Sequence, residues 1–508
     1  MRAIVVGTGF GSLASALRLR ALGLQVEVLE SCPDPGGRAR RFQFQGESFD
    51  AGPTVITAPW LFDELFSLFG ESRQRCVDFL PCDPWYRLVY SDGATLDLTP
   101  TVERQRAEIE RFSPTDAAQY ERYLAHSEQL YRVGYEELGD ADFSSFASMI
   151  RAFPDLIRLG AFSNLWSFTK RFFRDRRVRQ AFSLQPLLVG GNPLTTTSIY
   201  GLIHAMERRG GIWFSKGGTA ELVRQLVSLA ERNGVRFRYG CEVTGVASGA
   251  DGRISSVSFV SAQKKGDLPC SVCVWGGDPI KAYELLGSKR LSLVERLRVR
   301  TVQPSMGLYV LYFKSTRRYP DVAHHTIVLS ARWEELLREI FKGRKLPPDP
   351  SLYLHRPAST DKTFERSDGD LFYVLAPVPH LGKFSDWQSQ EGAFRSTVLS
   401  VLGERVLPGI SESISFAESV DPRYFRDTLS SHVGAGFSIA PTLQQSAWFR
   451  FHNRMDRVRG LYLCGAGVHP GGGLPGVVTS AKVVERLVRG DLNLEDRSQL
   501  ARALKKVA

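Results

Sequence analysis

An α/β fold carrying a Rossmann-like nucleotide-binding domain is predicted by three stretches of the 508-residue chain. Residues 1–30 read strand, glycine turn, helix, strand and acid, the order that binds a dinucleotide. Residues 33–54 add a second cluster of glycines. Residues 461–477 read as a strand entering glycines ahead of a helix.

In the first stretch, Ala3-Ile4-Val5-Val6 is a short continuous apolar run, as expected of a strand covered on both faces. It enters Gly7-Thr8-Gly9-Phe10-Gly11-Ser12, after which Ala14, Leu17 and Ala21 recur at helical spacing. Gly7 permits a tight turn, Gly9 lets a pyrophosphate approach the backbone, and Gly11 opens the helix. The unpaired N–H groups of that helix attract an anion by about 0.3–1 kcal/mol, or ~2 kcal/mol when partly buried. A second apolar run ends at Glu30, about twenty residues on, where a carboxylate can accept from ribose hydroxyls. The third glycine of the usual pattern is replaced by Ser12, so helix and strand must pack around a hydroxymethyl group.

Pro33-Asp34-Pro35-Gly36-Gly37-Arg38-Ala39-Arg40 is a loop, followed by Phe49-Asp50-Ala51-Gly52-Pro53-Thr54. Gly37 allows close backbone approach, and Arg38 can meet a phosphate or a flavin edge. A nicotinamide dehydrogenase has no need of this second cluster. Flavoproteins of the amine-oxidase and carotenoid-desaturase superfamily carry one here, and that resemblance selects FAD over NAD.

The chain is long enough for two or three domains, and 43% hydrophobic with 23% charged residues excludes a disordered polypeptide. A net charge of +11 favours an anionic partner. Seven scattered cysteines suit reduced thiols and a cytosolic setting. No signal peptide is expected ahead of a nucleotide turn that begins at Gly7, and no apolar run approaches the ~18–20 residues of a spanning helix. Cys270-Ser271-Val272-Cys273 has metal-like spacing, but it lies in an apolar run without a second pair, so an inert strand and no metal are expected.

Val89 to Leu98 reads as a hairpin around Ser91-Asp92-Gly93, with helices from about Val102. Between Arg151 and Phe182, Phe162, Leu165, Trp166, Phe172 and Phe173 fall on one helical face opposite Lys170, Arg171 and Arg174. The segment holds eight basic and two acidic residues. Aromatics opposite a basic face suit an interfacial membrane helix, and a core-facing helix with a solvated basic side is the competing reading. Nucleic acid fits less well, because no recognised binding motif accompanies the charge.

From Leu187 onward the sequence resembles the bacterial-type phytoene desaturases, the carotenoid dehydrogenase family. The resemblance lies in Val189-Gly190-Gly191-Asn192-Pro193-Leu194-Thr195-Thr196-Thr197-Ser198-Ile199-Tyr200, Leu202-Ile203-His204-Ala205-Met206-Glu207 and Lys216-Gly217-Gly218-Thr219. His324-His325-Thr326-Ile327, Ser351-Leu352-Tyr353-Leu354-His355, Tyr373-Val374-Leu375-Ala376-Pro377-Val378-Pro379-His380-Leu381-Gly382 and Gln445-Ser446-Ala447-Trp448-Phe449-Arg450 extend it, and it runs to about residue 490. It implies an FAD-binding domain of the amine-oxidase and phytoene-desaturase type, assembled from residues 1–100, 201–275 and 456–490. Residues 101–200 would form a mainly helical membrane-associating and substrate region, residues 276–455 a mixed α+β substrate domain, and residues 491–508 a tail.

By resemblance the backbone at Val243 lies against adenine. The segment holding Gly465, Gly467, Gly476 and Val477 folds back on the isoalloxazine, where N–H donors would stabilise charge as flavin accepts hydride. His469, the titratable residue of that motif, reads better as structural. The implied reaction removes hydrogen from phytoene in successive steps, giving neurosporene or lycopene, with a proton lost from the carbon next to the hydride donor. Alternatives are a desaturase of a shorter or hydroxylated carotenoid, a carotene isomerase, or a flavin- and carotenoid-binding protein without turnover. Related enzymes carry an Arg-Asp pair after a Ser-Phe, but Ser145-Phe146 is followed by Ala147 and Ser148, so no catalytic side chain is named. At roughly 0.8 kcal/mol per CH₂-like group, a forty-carbon hydrocarbon gains on the order of 30 kcal/mol by leaving water. Such a substrate is expected from the cytoplasmic membrane, with the protein docked peripherally and oxygen or a quinone as electron acceptor.

Overall fold

The computed structural model describes residues 1–139, 154 and 157–494. The elements that build the site are β1 (Arg2–Val6), α1 (Phe10–Ala21), β2 (Gln25–Leu29), α2 (Leu202–Gly210) and α3 (Thr219–Arg232). They are followed by β3 (Arg236–Arg238), β4 (Val272–Trp275), α4 (Leu293–Thr301), β5 (Leu461–Leu463) and α5 (Leu474–Asp491). The five strands form one parallel sheet in the order β5-β4-β1-β2-β3. Strands more than two hundred residues apart thus pair directly, which makes this domain discontinuous in sequence.

The continuous apolar run of β1 follows from burial on both faces. Ala3 and Val5 pack with Leu13, Leu17, Leu226 and Val484 under the helices. Ile4 points the other way, to Phe259, Cys273 and Leu463. That second face is covered by an antiparallel sheet of Glu242–Ser248, Ile254–Val260 and Lys265–Pro269. Both Cys270 and Cys273 are buried there as free thiols. Ser12 finds its room at the end of β4: its hydroxyl donates to the Val6 carbonyl at 3.2 Å. A Cβ on Gly276 would lie 1.8 Å from that oxygen. The glycine missing at position 12 is matched by one at the neighbouring strand end.

A seven-stranded sheet forms the second layer, ordered Ile414–Val420, Gly307–Ser315, Asp370–Val378, Leu352–His355, His325–Val328, Tyr86–Val89 and Thr95–Leu98. Its last two strands are the hairpin expected near residue 90. That hairpin falls inside the range assigned above to the nucleotide domain, yet it pairs in parallel with His325–Val328 of the substrate sheet. Tyr86, Leu88, Leu96 and Leu98 alternate inward and pack with Ile327 and Leu329. Alternation marks a half-buried strand but does not say which sheet it joins.

The interfacial helix read between residues 151 and 182 is not formed over its described part. Two short helices, Leu165–Thr169 and Arg176–Ala181, stand there instead, separated by a turn. The Asp116 carboxylate holds that turn by accepting from the N–H groups of Arg174 and Asp175. Leu165, Phe168, Phe172 and Phe173 are buried, while Lys170, Arg171, Arg174 and Arg176 face solvent. The core-facing reading therefore holds for Leu165, Phe172 and Phe173, whereas Phe162 is 43% exposed. Arg151, Ser145-Phe146, Ala147 and Ser148 lie outside the described residues, as does the tail from 495. Among the described residues no helix is long and apolar enough to cross a membrane.

One tertiary cap joins the second glycine region to α3. The buried Asp50 carboxylate accepts from the N–H groups of Thr219 and Ala220 at 2.9 and 3.0 Å, and Gly218 leaves space for it. Asp50→Ala would leave both donors buried and unmet. It should lower stability by about 1–2 kcal/mol, read by denaturant unfolding of the full chain.

Candidate functional site

The first turn is held by one carboxylate. Glu30 accepts from the N–H and hydroxyl of Thr8 through one oxygen, and from the N–H of Cys32 at 2.9 Å through the other. The Thr8 hydroxyl in turn accepts from the N–H of Gly36 at 3.0 Å. The two glycine clusters are thereby drawn together, and a Cβ on Gly37 would lie 3.5 Å from the Gly9 Cα. α1 has no side-chain cap and no acidic residue in its first turn, which leaves its N-terminus free to meet an anion.

A cavity of about 820 Å³ starts at this point. Gly7, Gly9, Gly11, Glu30, Gly37, Arg38, Val243, Gly465, Gly476 and Val477 all line it. Gly467, also expected here, does not. A Cβ on it would meet Pro279 Cδ at 2.4 Å, so Gly467 serves the packing behind the wall. Gly465 contributes shape more than a donor, because its N–H already donates to the Ser480 hydroxyl at 2.9 Å. α5 begins at Leu474, four residues ahead of the expected start, with Pro475 in its first turn, where the missing N–H costs nothing.

Past the nucleotide end the cavity runs along Gly52, Thr54, Tyr353 and Tyr373 to a buried end at Tyr86, Ile327, Leu329 and Trp333. Exposed Phe162, Leu443 and Phe449 also line it, at the protein surface.

The family model for flavin containing amine oxidoreductases matches residues 13–274. A lycopene-forming phytoene desaturase of Pseudescherichia vulneris is 42% identical over 97% of this chain and 99% of its own length. A neurosporene-forming phytoene desaturase of Cereibacter sphaeroides is 38% identical over 96% of this chain and 94% of its own. The chain belongs to the phytoene desaturase family of flavin-containing amine oxidoreductases. Among solved structures, a putrescine oxidase superposes with a TM-score of 0.63 at 12% identity, covering 97% of this chain and 99% of that one. An oxidoreductase of Methanosarcina mazei gives 0.62 at 17% identity, covering 96% and 100%. At such identities these two speak for the fold alone.

The cofactor of this phytoene desaturase-family chain is FAD, and the residues present fit it. A Cβ on Gly9 would meet nothing within 4 Å, so the bare backbone faces open cavity. On Gly11 it would meet backbone atoms of Gly465 and Val477 at 3.1–3.2 Å, so three predicted residues close on one another. Arg38 donates to the Ser431 hydroxyl at 3.2 Å, while its Nε is buried without a partner, leaving a donor for an anionic or carbonyl group. Glu30 retains lone pairs for ribose hydroxyls beyond the bonds it makes within the chain.

Several residues that position this site lie in motifs that carried the resemblance but were given no site role there. Tyr373 donates to the Gly52 carbonyl at 2.7 Å, and Tyr353 shares a 2.8 Å bond with the Thr54 hydroxyl and a 2.6 Å bond with His325 Nδ1. Behind them His324 and His355 meet at 3.0 Å. Burial drives all three histidines below their ordinary range, His325 to about 3, so this support is uncharged at neutral pH. Cys82, His324 and His325 bring donor atoms within 4.8 Å of one another, with the Cys82 thiol pushed up to about 12 and so protonated. Buried Arg450 donates to the carbonyls of Ala466 at 2.6 Å and Val468 at 3.0 Å, and Asn453 to those of Leu463 and His469. They hold the C-terminal glycine segment in place. The arginine that closes the Gln445–Arg450 motif was the available signal. His469 is buried, hydrogen-bonded to the Leu138 carbonyl at 3.1 Å and pushed down to about 4, which suits a structural role.

Glu207 of α2 also lines the cavity. Tyr86 donates to its Oε1 at 3.4 Å, and His204 Nδ1 stands 4.0 Å from its Oε2. Desolvation pushes its carboxyl up to about 8, so it is chiefly neutral at pH 7. An unfolded glutamate releases its proton near 4.5, while the folded one keeps it until about 8, so stability falls as pH rises between the two. Glu207→Gln should flatten this decline, measured as melting temperature from pH 5 to 8 against the unsubstituted chain. Gly9→Ala meets no protein atom and should spare the melting temperature of the apoprotein, yet strip FAD from the purified chain. Flavin absorbance per polypeptide reads that loss.

Proposed function

We propose that the chain is an FAD-dependent carotenoid desaturase that converts phytoene by successive dehydrogenations to neurosporene or lycopene. The observation that carries this reading is that the cofactor cradle and a long apolar channel are a single cavity. Bound FAD supplies the electron sink that an unactivated C–H bond requires. The chain's own residues align the polyene and keep water from it. Ile327, Leu329, Trp333 and Leu375 take the hydrocarbon at the buried end, and Leu187, Leu188 and Val189 flank it farther out. Tyr353 and Tyr373 brace the wall at Thr54 and Gly52 against the neutral histidines behind. With Glu207 and His469 uncharged, no fixed charge from either side chain meets the polyene, and a hydrocarbon makes no compensating contact with charge.

The same physics governs delivery. A hydrocarbon of this size does not cross water at a useful rate, so the substrate is drawn from a bilayer by a protein docked peripherally at the cytoplasmic membrane. Oxygen or a quinone would serve as the electron acceptor. Coexpression with a phytoene-producing pathway should yield neurosporene or lycopene, identified by chromatography and a lengthened chromophore. Unchanged chromophore length would point to isomerisation, and unaltered phytoene with no anaerobic flavin bleaching would remove the enzyme reading.

A further inference from the structure

α4 presents to solvent what helices usually bury. Leu293, Val294 and Leu297 are 73, 42 and 62% exposed, whereas the acid of the same helix, Glu295, is turned inside at 1%. Glu295 closes a capping box with Ser292 and also accepts from the N–H of Asp456 at 3.1 Å. The buried acid therefore fixes the rotation of the helix, and the leucines cannot turn inward without breaking those bonds. Lys289, Arg290, Arg296 and Arg300 stand exposed around them. Three uncovered apolar side chains within one turn and a half, ringed by cations, match an interface where hydrocarbon lies beneath an anionic surface.

This face is continuous with the mouth of the channel. Arg298 of α4 donates to the Trp448 carbonyl at 2.7 Å, and its guanidinium lies 5.1 Å from the Trp448 ring. Trp448 packs edge-on against Phe449 at 5.4 Å. Phe449, Leu443 and Phe162, exposed at 41–43%, rim the cavity itself. While Leu165, Phe168, Phe172 and Phe173 pack inward, exposed apolar groups stand here, beside the cavity rim.

We infer that α4, Trp448–Phe449 and the rim at Phe162 and Leu443 form a single surface that seats in an anionic phospholipid bilayer, so that the channel opens into lipid. This rests on the carotenoid reading above. The proposal commits to the bilayer, since a protein partner would have no reason to sit across the entrance of a hydrocarbon channel.

Sedimentation of the FAD-loaded chain with phosphatidylcholine vesicles, with and without phosphatidylglycerol, tests it. The unsubstituted chain should pellet with phosphatidylglycerol vesicles. Leu293→Asp/Leu297→Asp should lower the bound fraction by about tenfold at unchanged flavin content and melting temperature. Arg296→Gln/Arg300→Gln should weaken binding to anionic vesicles while leaving the smaller binding to neutral ones as it was. The leucine variant should desaturate substrate offered in detergent micelles at the ordinary rate and fail with substrate embedded in vesicles. If the unsubstituted chain pellets and the leucine variant pellets equally, α4 is not the seat, although delivery from a bilayer stands. If the unsubstituted chain ignores vesicles, both fall. A solution dimer that the leucine variant dissociates, without vesicle binding, would overturn the proposal in favour of a second copy covering α4.

Discussion

The Glu30 carboxylate is the point on which the rest of the site turns. It joins the glycine turn after β1, through Thr8, to the loop after β2, through Cys32. The Thr8 hydroxyl passes that restraint on to Gly36. Backbones can then approach where side chains would collide, and the glycines on both sides are bare for that reason. Had the acid faced solvent, two mobile loops would have to be ordered by the ligand. As built, the cradle exists before the cofactor arrives, which removes much of the entropic cost of binding.

The opposite wall meets the same demand by different means. It has few glycines and is braced by a buried polar layer in which tyrosines and histidines hydrogen-bond without carrying charge. A charged group there would face both desolvation and a hydrocarbon unable to compensate it. Neutrality is thus a design requirement shared by Glu207, His325 and His469, each shifted by burial in the direction that removes its charge. The nucleotide end instead presents the ionisable side chains of Glu30, Arg38 and Asp278, where a dinucleotide offers partners. One cavity therefore has two electrostatic halves.

Much of the nucleotide half was legible in the sequence because its signals are local. Strand, turn, helix and acid follow one another within thirty residues, and the C-terminal strand, glycines and helix repeat the pattern. Gly467 looked equivalent to Gly465, but whether a glycine faces ligand or a neighbouring proline depends on what packs behind it. The segment between residues 151 and 182 left two readings open for the same reason. An aromatic face opposite basic residues satisfies a membrane surface and a protein core alike, and the core of Tyr123, Phe182 and Leu184 claimed it.

By itself the sequence determined the α/β class, the dinucleotide turn, the pairing of acid with glycines and the likeness to a family of flavoenzymes, since each depends on spacing along the chain. Only the tertiary structure decided that the hairpin at 86–98 belongs to the second sheet, that Tyr353, Arg450 and Glu207 shape the site, and that α4 turns its leucines outward beside the channel mouth. Those facts depend on contacts between residues hundreds of positions apart, and burial, which sets both charge state and exposure, is a property of the packed whole.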